Sequence, residues 1–229
     1  MSSLYKSLLV DLADVLFPAS CAGCSRALAR SEEVVCTRCL AHLPRFDDPQ
    51  ELDLRLAGRL PVAAMAGYLK YETGGLTQRL LHRLKYRGQR QIGLILGAQF
   101  SSWLRQQPFW QEVDAIVPLP LHPAKEKKRG YNQSALLAQG IGDATGLPVL
   151  SDVVQRLRPS ASQTRKSREA RWHNVAGIFA VKDTAAIAGR HVLLVDDVLT
   201  TGATLEACGQ ALLEAGAEKL SLAVLAVAV

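Results

Sequence analysis

The chain has 229 residues, 48% of them hydrophobic, and a formal net charge of +6 at pH 7. The chain is long enough and apolar enough to bury a hydrophobic core. This length and composition therefore predict a globular protein with one principal domain and a small appendage. The longest apolar segment, LSLAVLAVAV at 220–229, is far shorter than the roughly 18 residues of a membrane span. We therefore expect no membrane span and interpret this segment as a buried strand.

The first 18 residues, MSSLYKSLLVDLADVLFP, carry apolar side chains at helical spacing. Asp11 and Asp14 interrupt the segment where a secretory signal peptide would need an apolar run. The spacing predicts a short amphipathic helix packed on the body of the protein. On the same reasoning we expect a cytoplasmic location.

Four of the five cysteines form two CxxC pairs separated by eleven residues. They are Cys21, Cys24, Cys36 and Cys39. Two such pairs allow four thiolates to converge on one structural Zn²⁺. Two disulfides are the competing interpretation, which a reducing compartment disfavours. We expect residues 1–50 to form an N-terminal helix and a zinc-binding segment, and residues 51–229 to form the main domain.

Three basic segments follow, at 79–90, 125–129 and 156–171. Such segments are either solvated surface or contacts for a polyanion. Aromatic residues stand in or beside them, and this combination suits single-stranded nucleic acid, whose bases stack while cations track its phosphates. Ordinary packing is the alternative for the aromatic residues. The candidate nucleic-acid contacts are Lys85, Tyr86, Arg87, Lys127, Lys128, Arg129 and Trp172.

From about residue 114 the pattern alternates between strand and helix. Strands are predicted at 114–119, 177–181, 191–195 and 220–229. One helix is predicted at 132–146, between the cap Asn132 and the stop Gly146, and another on the apolar face formed by Leu205, Cys208, Leu212 and Leu213. Residues 45–60 are interpreted as a connector. Apolar strands that alternate with helices predict a parallel sheet covered on both faces, with the ligand beyond the carboxyl ends of the strands.

The segment VLLVDDVLTTGAT, residues 192–204, combines a buried strand with an anion site. We expect Asp196 and Asp197 to emerge where the strand ends. The following TTGAT supplies backbone N–H groups and hydroxyls at the start of a helix, which favours a phosphate. A nucleoside-triphosphate loop would need a lysine after its last glycine, and none is present. Paired carboxylates beside a phosphate can instead hold vicinal sugar hydroxyls, directly or through Mg²⁺, so the order of groups predicts a ribose 5-phosphate.

This stretch resembles the phosphoribosyl pyrophosphate (PRPP) signature of type I phosphoribosyltransferases. Together with VPLPLHPAKEKKRGYNQSALLA, SQTRKSREARWHNVAGIF and the four-cysteine segment, it resembles the ComF family of competence-associated proteins. The resemblance implies an α/β fold: a type I phosphoribosyltransferase-like parallel sheet flanked by helices, with a small N-terminal four-cysteine zinc segment.

The resemblance also implies roles for individual residues. Asp196 and Asp197 would hold the ribose hydroxyls. The 5-phosphate would be held by Thr200, Thr201, Gly202, Ala203 and Thr204. The pyrophosphate would approach the loop of Leu119, Pro120, Leu121 and His122, where His122 either donates to phosphate or serves a structural role. A mobile basic loop would close over the ligand with Arg165, Lys166, Arg168 and Arg171.

One departure bears on function. Purine-salvage relatives carry an aspartate just before the Thr-Gly pair, to handle the proton of the base, and here that residue is Thr200. Purine salvage is therefore disfavoured. We expect a PRPP-binding protein of DNA uptake in natural transformation that binds single-stranded DNA and works with DNA-uptake proteins. The alternatives are a Mg²⁺-dependent phosphoribosyltransferase with an unknown small-molecule acceptor, and a non-catalytic PRPP sensor.

Overall fold

A computed structural model describes residues 19–55, 58–158 and 177–229 of the chain. The strands are β1 (Ala64–Tyr71), β2 (Ala115–Pro118), β3 (Val154–Arg156), β4 (Phe179–Val181), β5 (His191–Leu199) and β6 (Lys219–Ala228). The α-helices are α1 (Thr37–Ala41), α2 (Pro49–Leu54), α3 (Leu76–Tyr86), α4 (Gln91–Leu104), α5 (Pro123–Arg129), α6 (Gln133–Thr145) and α7 (Ala203–Glu214). A short 3₁₀ helix spans Pro108–Glu112.

The centre of the molecule is a parallel sheet of four strands in the order β1-β6-β5-β2. The two middle strands are the apolar runs of the sequence, and β6 is buried along nearly its whole length. Such continuous burial requires cover on both faces of the sheet. The fold class predicted from the sequence is confirmed: a parallel sheet with flanking helices.

Two apolar clusters cover the two faces. One contains side chains of α3, α4 and α6 packed on the sheet, for example Leu81, Leu96 and Leu137. The other contains α7 residues Leu205 and Cys208 with the opposite side chains of β5 and β6. Successive side chains of a strand point to opposite faces of the sheet, so each strand contributes alternate residues to the two clusters.

The four-cysteine segment shares the first of these clusters. Cys21, Val35 and Leu43 belong to the same group of buried residues as Leu80 and Leu81 of α3. Arg79 Nε also donates to the backbone oxygen of Gly23, at 3.0 Å. The division of the chain at residue 50 stays a prediction, and these contacts join its two sides.

Several elements differ from the sequence-based prediction. The strand at 177–181 is present as β4, but it pairs antiparallel with β3 in a separate two-stranded sheet. The pattern had missed β1, which pairs parallel with β6. Residues 45–60 are more than a connector, because they include α2, which packs on β1. The predicted N-terminal helix, at 1–18, lies outside the described residues. Within the described ranges, no helix has the length and apolarity needed to cross a membrane.

Helices α4 and α6 cross at unusually short range, and glycines permit it. A methyl group at Gly97 would lie 2.3 Å from the Leu137 backbone oxygen, and one at Gly140 would lie 2.3 Å from the Leu94 backbone oxygen. Both neighbours are backbone atoms, which cannot rotate away. The backbones of the two helices are therefore in close contact at this crossing.

We expect Gly97→Ala to separate the two helices and to lower the free energy of unfolding by about 1–3 kcal/mol, as overpacking in a close-packed core does. The measurement is urea denaturation followed by circular dichroism. Ser102→Ala, at an exposed position of the same helix, is the control and should change stability by less than about 0.5 kcal/mol. Equal stability of Gly97→Ala and the native chain would contradict the close crossing.

Candidate functional site

Two adjacent carboxylates, Asp196 and Asp197, lie near the carboxyl end of β5. The strand continues through both, to Leu199, whereas the sequence pattern predicted that it would end before them. Its neighbour β2 ends at Pro118, opposite Val195, so the acid pair begins one residue beyond the end of that strand. The two carboxylates therefore stand at the edge of the sheet where ligands bind in open parallel sheets.

Three groups contact the acid pair. Ser134 Oγ, at the start of α6, donates to Asp196 Oδ1 at 2.9 Å. The backbone N–H of Asp197 donates to the same oxygen at 2.8 Å. Lys85 Nζ, near the end of α3, lies 2.5 Å from Asp197 Oδ2, and the Asp197 side chain is only 6% exposed. The acid pair thus has two neutral hydrogen-bond donors, both on Asp196, and one largely buried ion pair, on Asp197.

The two carboxylates are adjacent and poorly solvated, so the charge of each one disfavours ionisation of the other. Burial and the neighbouring charge of Asp197 raise the pKa of Asp196 to about 7, from an ordinary value of 3.8. The hydrogen bonds from Asp197 N–H and Ser134, and the charge of Lys85, act in the opposite direction. A carboxyl group with a pKa near neutral pH can lose its proton when a ligand or cation binds beside it.

The loop after β5 turns sharply into α7. Gly202 adopts the left-handed conformation, with φ 76°, and directly precedes the helix. It has no side chain to cap the helix, so the N–H groups of the first turn are open to an anion. Thr200 and Thr201 are exposed, and Ala203 and Thr204 are half-buried. All five residues predicted for the phosphate lie in this turn, a few residues beyond the acid pair.

Two arginines that the sequence pattern did not single out hold the back of this loop. Arg55 Nη1 donates to the Thr200 backbone oxygen at 3.0 Å and Arg55 Nη2 to the Ala228 backbone oxygen at 2.6 Å. Arg59 Nη1 donates to the Thr201 backbone oxygen at 3.1 Å and also pairs with Glu206. The two arginines thus bind the carbonyl groups of the loop from the side of β6.

The predicted pyrophosphate loop lies beside the acid pair. The N–H of Leu119 donates to the Val195 backbone oxygen at 2.8 Å, which places the loop next to Asp196. Asn132 Nδ2 donates to the Leu119 oxygen at 2.9 Å. His122 Nδ1 accepts from the N–H of Ala124 and caps α5, which is a structural role, and donation from His122 to phosphate stays a prediction. Pro120 and Leu121 are half-buried between them.

Arg156 of β3 is a buried cation that the sequence pattern assigned to no site. It is 8% exposed, and its guanidinium lies over the Phe179 ring, 5.4 Å from the ring centre. Burial lowers its pKa, and the charge of Asp196 raises it. The two-stranded sheet therefore presents a positive charge toward the acid pair. A buried charge in a strand of only three residues leaves no periodic signal in a sequence.

The four cysteines that form the candidate metal centre converge. Their sulfur atoms all lie within 4.8 Å of one another, and Cys24 Sγ is 3.8 Å from Cys36 Sγ. Four sulfurs bound at about 2.3 Å to one tetrahedral metal ion are about 3.8 Å apart. All four thiols are free, so the segment does not rely on disulfides in this structure. The arrangement could hold a metal ion.

Backbone N–H groups point at the sulfurs of this centre. Gly23 and Cys36 donate to Cys21 Sγ at 3.3 and 3.2 Å, and Cys39 donates to Cys36 Sγ at 3.4 Å. Burial alone would raise the pKa of Cys21, but the backbone hydrogen bonds from Cys36, Cys24 and Gly23 outweigh it and lower the pKa to about 6. Burial raises the pKa of Cys39. At least one thiolate is favoured before any metal binds.

The residues predicted for nucleic acid fall in different places. Lys85 faces Asp197 instead of the surface. Tyr86 is 66% exposed, and the guanidinium of Arg129 lies 5.6 Å from its ring centre. Arg87, Lys127 and Lys128 are exposed. The remaining predicted residues lie outside the described residues. They are Trp172 and the predicted mobile loop residues Arg165, Lys166, Arg168 and Arg171.

Comparison with known proteins shows the family of the chain. The family model of the phosphoribosyl transferase domain matches residues 89–228. A DNA utilization protein YhgH of Escherichia coli strain K12 is 30% identical over 200 residues, which covers 86% of this chain and 85% of that protein. A competence protein F of Haemophilus influenzae is 31% identical over 147 residues, which covers 62% of this chain and 64% of that protein.

A solved structure is also similar. It is a glutamine PRPP amidotransferase from Bacillus subtilis, complexed with ADP and GMP, which is 19% identical over 58% of this chain and 26% of that chain, with a TM-score of 0.41.

The raised pKa of Asp196 gives the acid pair a cost in stability. Between about pH 4 and pH 7 the folded chain holds a proton that the unfolded chain has lost, so this group's contribution to the free energy of unfolding falls as the pH rises. We expect Asp196→Asn, which removes the charge, to be more stable than the native chain by about 1–3 kcal/mol at pH 8, and the difference to shrink toward pH 4. Urea denaturation without added divalent metal measures it.

Asp197→Asn is the matched comparison for this variant. It removes the acid that pairs with Lys85 and leaves the ammonium group without its partner, so it should not stabilise the protein. An Asp196→Asn variant less stable than the native chain at pH 8 would show that the two carboxylates do not oppose one another.

Proposed function

Because the chain belongs to the phosphoribosyl transferase domain family, in its ComF group of competence-associated proteins, we propose that it binds PRPP or a closely related ribose 5-phosphate and takes part in DNA uptake. The observation that carries the proposal is the acid pair on β5, followed within a few residues by the turn at Gly202, whose N–H groups are uncapped. One end of this arrangement suits sugar hydroxyls and the other suits a phosphate.

We propose specific contacts for each part of the ligand. The carboxylates of Asp196 and Asp197 accept hydrogen bonds from the two ribose hydroxyls. The 5-phosphate lies at the amino end of α7, contacted by Thr200, Thr201, Gly202, Ala203 and Thr204. The pyrophosphate faces the backbone of the loop at 119–122, with His122 as the helix cap that shapes this loop. The proposed mobile loop, which lies outside the described residues, would cover the ligand with Arg165, Lys166, Arg168 and Arg171.

Mg²⁺ fits the donor set of the acid pair. Asp197 Oδ2 is buried and accepts no hydrogen bond from the described residues, although Lys85 pairs with it electrostatically. Carboxylate oxygens are the ligands that Mg²⁺ takes in proteins, together with phosphate oxygens of its substrates. A bound Mg²⁺ would supply charge neutralisation for the pyrophosphate. Lys85 balances the second acid and keeps the charge of the pair from repelling that pyrophosphate.

The second part of the proposal is that the protein handles single-stranded DNA during natural transformation, with DNA-uptake proteins as partners. The names of its relatives, a competence protein and a DNA utilization protein, support this role. Exposed cations beside an exposed aromatic ring support it independently, because a single strand presents both phosphates and unstacked bases. We propose further that the four cysteines hold a structural Zn²⁺.

PRPP binding is tested by calorimetric titration with and without Mg²⁺. The native protein should bind, with higher affinity when Mg²⁺ is present. The double variant Asp196→Asn/Asp197→Asn should lose at least about 100-fold in affinity, since it removes two charge-assisted hydrogen-bond acceptors.

Asp143→Asn/Asp152→Asn removes the same charge at exposed positions of α6 and the following turn, and it should bind PRPP like the native protein. Failure of a folded native protein to bind PRPP in either condition would exclude the proposed site.

The metal proposal is tested by elemental analysis of protein purified without chelators. We expect about one zinc per chain, since four thiolates complete one tetrahedral site. Cys21→Ser/Cys24→Ser should lose the metal and lower the thermal midpoint. Cys208→Ala removes a buried cysteine far from the cluster in sequence and should keep one zinc. A metal-free native protein would overturn the proposal.

A further inference from the structure

One face of α3, with the residues that follow the helix, lines a surface groove. The groove has a volume of about 580 Å³. It is lined by Gln78, Arg79, His82, Arg83, Arg87 and Gln89. We call it the α3 groove. Three of the six residues are arginines and none is acidic, so the groove is electropositive along its length.

The arginines form a ladder. Arg79, Arg83 and Arg87 are spaced by four residues, so each is about one turn, or about 6 Å, beyond the last. Part of the hydrogen-bonding capacity of Arg79 is used within the protein, because its guanidinium group donates to the backbone oxygens of Gly23 and Gly74. The guanidinium groups of Arg83 and Arg87 have no hydrogen-bond or ion-pair partner among the described residues. A row of cations without protein partners in a groove suits an anionic ligand with repeating charges.

Aromatic rings stand at the side of this ladder. Tyr86 is 66% exposed, and its ring centre is 4.8 Å from that of His82, which lines the groove. Arg129 of α5 lies over the same tyrosine, so the ring links the ladder to the cations of α5. An exposed tyrosine between cations offers a stacking platform for a base. Gln89 Oε1, a buried acceptor without a hydrogen-bond partner in the structure, adds a polar contact.

The groove is separate from the proposed PRPP site, although both use α3. At 100° per residue, Arg83 and Arg87 are each about 160° from Lys85 around the helix axis. Lys85 therefore reaches the acid pair from one side of the helix while the arginines face away from it.

From these observations we propose that the α3 groove, together with Tyr86, is the surface on which the protein binds single-stranded DNA. The inference rests on the proposed role in DNA handling and assigns that role to a site. The arginines contact successive phosphates, and the exposed ring of Tyr86 stacks on a base. A duplex hides its bases, so it would use only the cations.

The test measures binding of a fluorescent oligo-dT by anisotropy over a series of salt concentrations. The native protein should bind at 50 mM salt, and its affinity should fall steeply with salt. Arg83→Gln/Arg87→Gln should weaken binding at least about tenfold. It should also reduce the slope of log K against log salt by about 1.4, since each phosphate contact with a single strand contributes about 0.7.

The matched control is Arg105→Gln/Arg190→Gln, which removes the same charge at positions that do not line the α3 groove. It should retain the native affinity and slope. Tyr86→Ala should weaken oligo-dT binding at least about fivefold while the salt slope stays unchanged, because stacking releases no counterions. For every variant the thermal midpoint and PRPP affinity should equal those of the native protein.

Each other outcome is decisive. Native affinity and slope in the groove variant would overturn the assignment of the groove and leave DNA handling to another surface. Absence of oligo-dT binding by the native protein at 50 mM salt would overturn the DNA role itself. Equal binding of duplex and single strand, insensitive to Tyr86→Ala, would replace the proposal with a general anion surface. Displacement of oligo-dT by poly-glutamate at equal charge concentration would do the same.

Discussion

Two neighbouring carboxylates held at low exposure to water are the constraint on which the rest of the site depends. Asp196 and Asp197 cannot both be ionised in this position without compensation, because like charges at short range in a poorly solvated environment repel strongly. The protein compensates from separate elements: Ser134 at the start of α6, Lys85 near the end of α3 and the charge of Arg156 on β3. Each of these elements must therefore be positioned relative to β5.

Much of the site could be predicted from residues 192–204, because strand, acids and turn are contiguous there. A buried parallel strand is an apolar run, and side chains just after such a run meet at one edge of the sheet. The cysteine cluster was equally legible, because two CxxC pairs constrain four sulfurs by spacing alone. Both signals are local in sequence. The end of β5 was misplaced because an aspartate usually stops a strand, whereas here the pairing with β6 includes Asp196 and continues beyond the acid pair at Val198 and Leu199.

The residues that sequence reasoning missed or misassigned all act over long separations. Lys85 stands in a basic run and was assigned to nucleic acid, yet its ammonium group lies against an acid 112 positions later in the chain. Arg55 and Arg59 lie in a segment interpreted as a connector, and they bind carbonyl groups about 145 and 142 positions away. No periodicity or motif links such pairs. Similarly, β1 belongs to the main sheet through its parallel pairing with β6, which is about 155 positions later in the chain, and α2 packs on β1.

Two arginines connect the candidate phosphate turn to a part of the chain that precedes the family match. A turn that presents its N–H groups to an anion directs carbonyl groups elsewhere, and polar backbone groups near a buried sheet require partners. Arg55 and Arg59 supply five-donor guanidinium groups to the Thr200, Thr201 and Ala228 oxygens, and Arg59 is itself fixed by Glu206 of α7. Both arginines, like Lys85, precede residue 89, where the match to the family model begins. Residues outside the matched segment thus contact the turn and the acid pair within it, and the region between the cysteines and α4 contributes side chains to the candidate site.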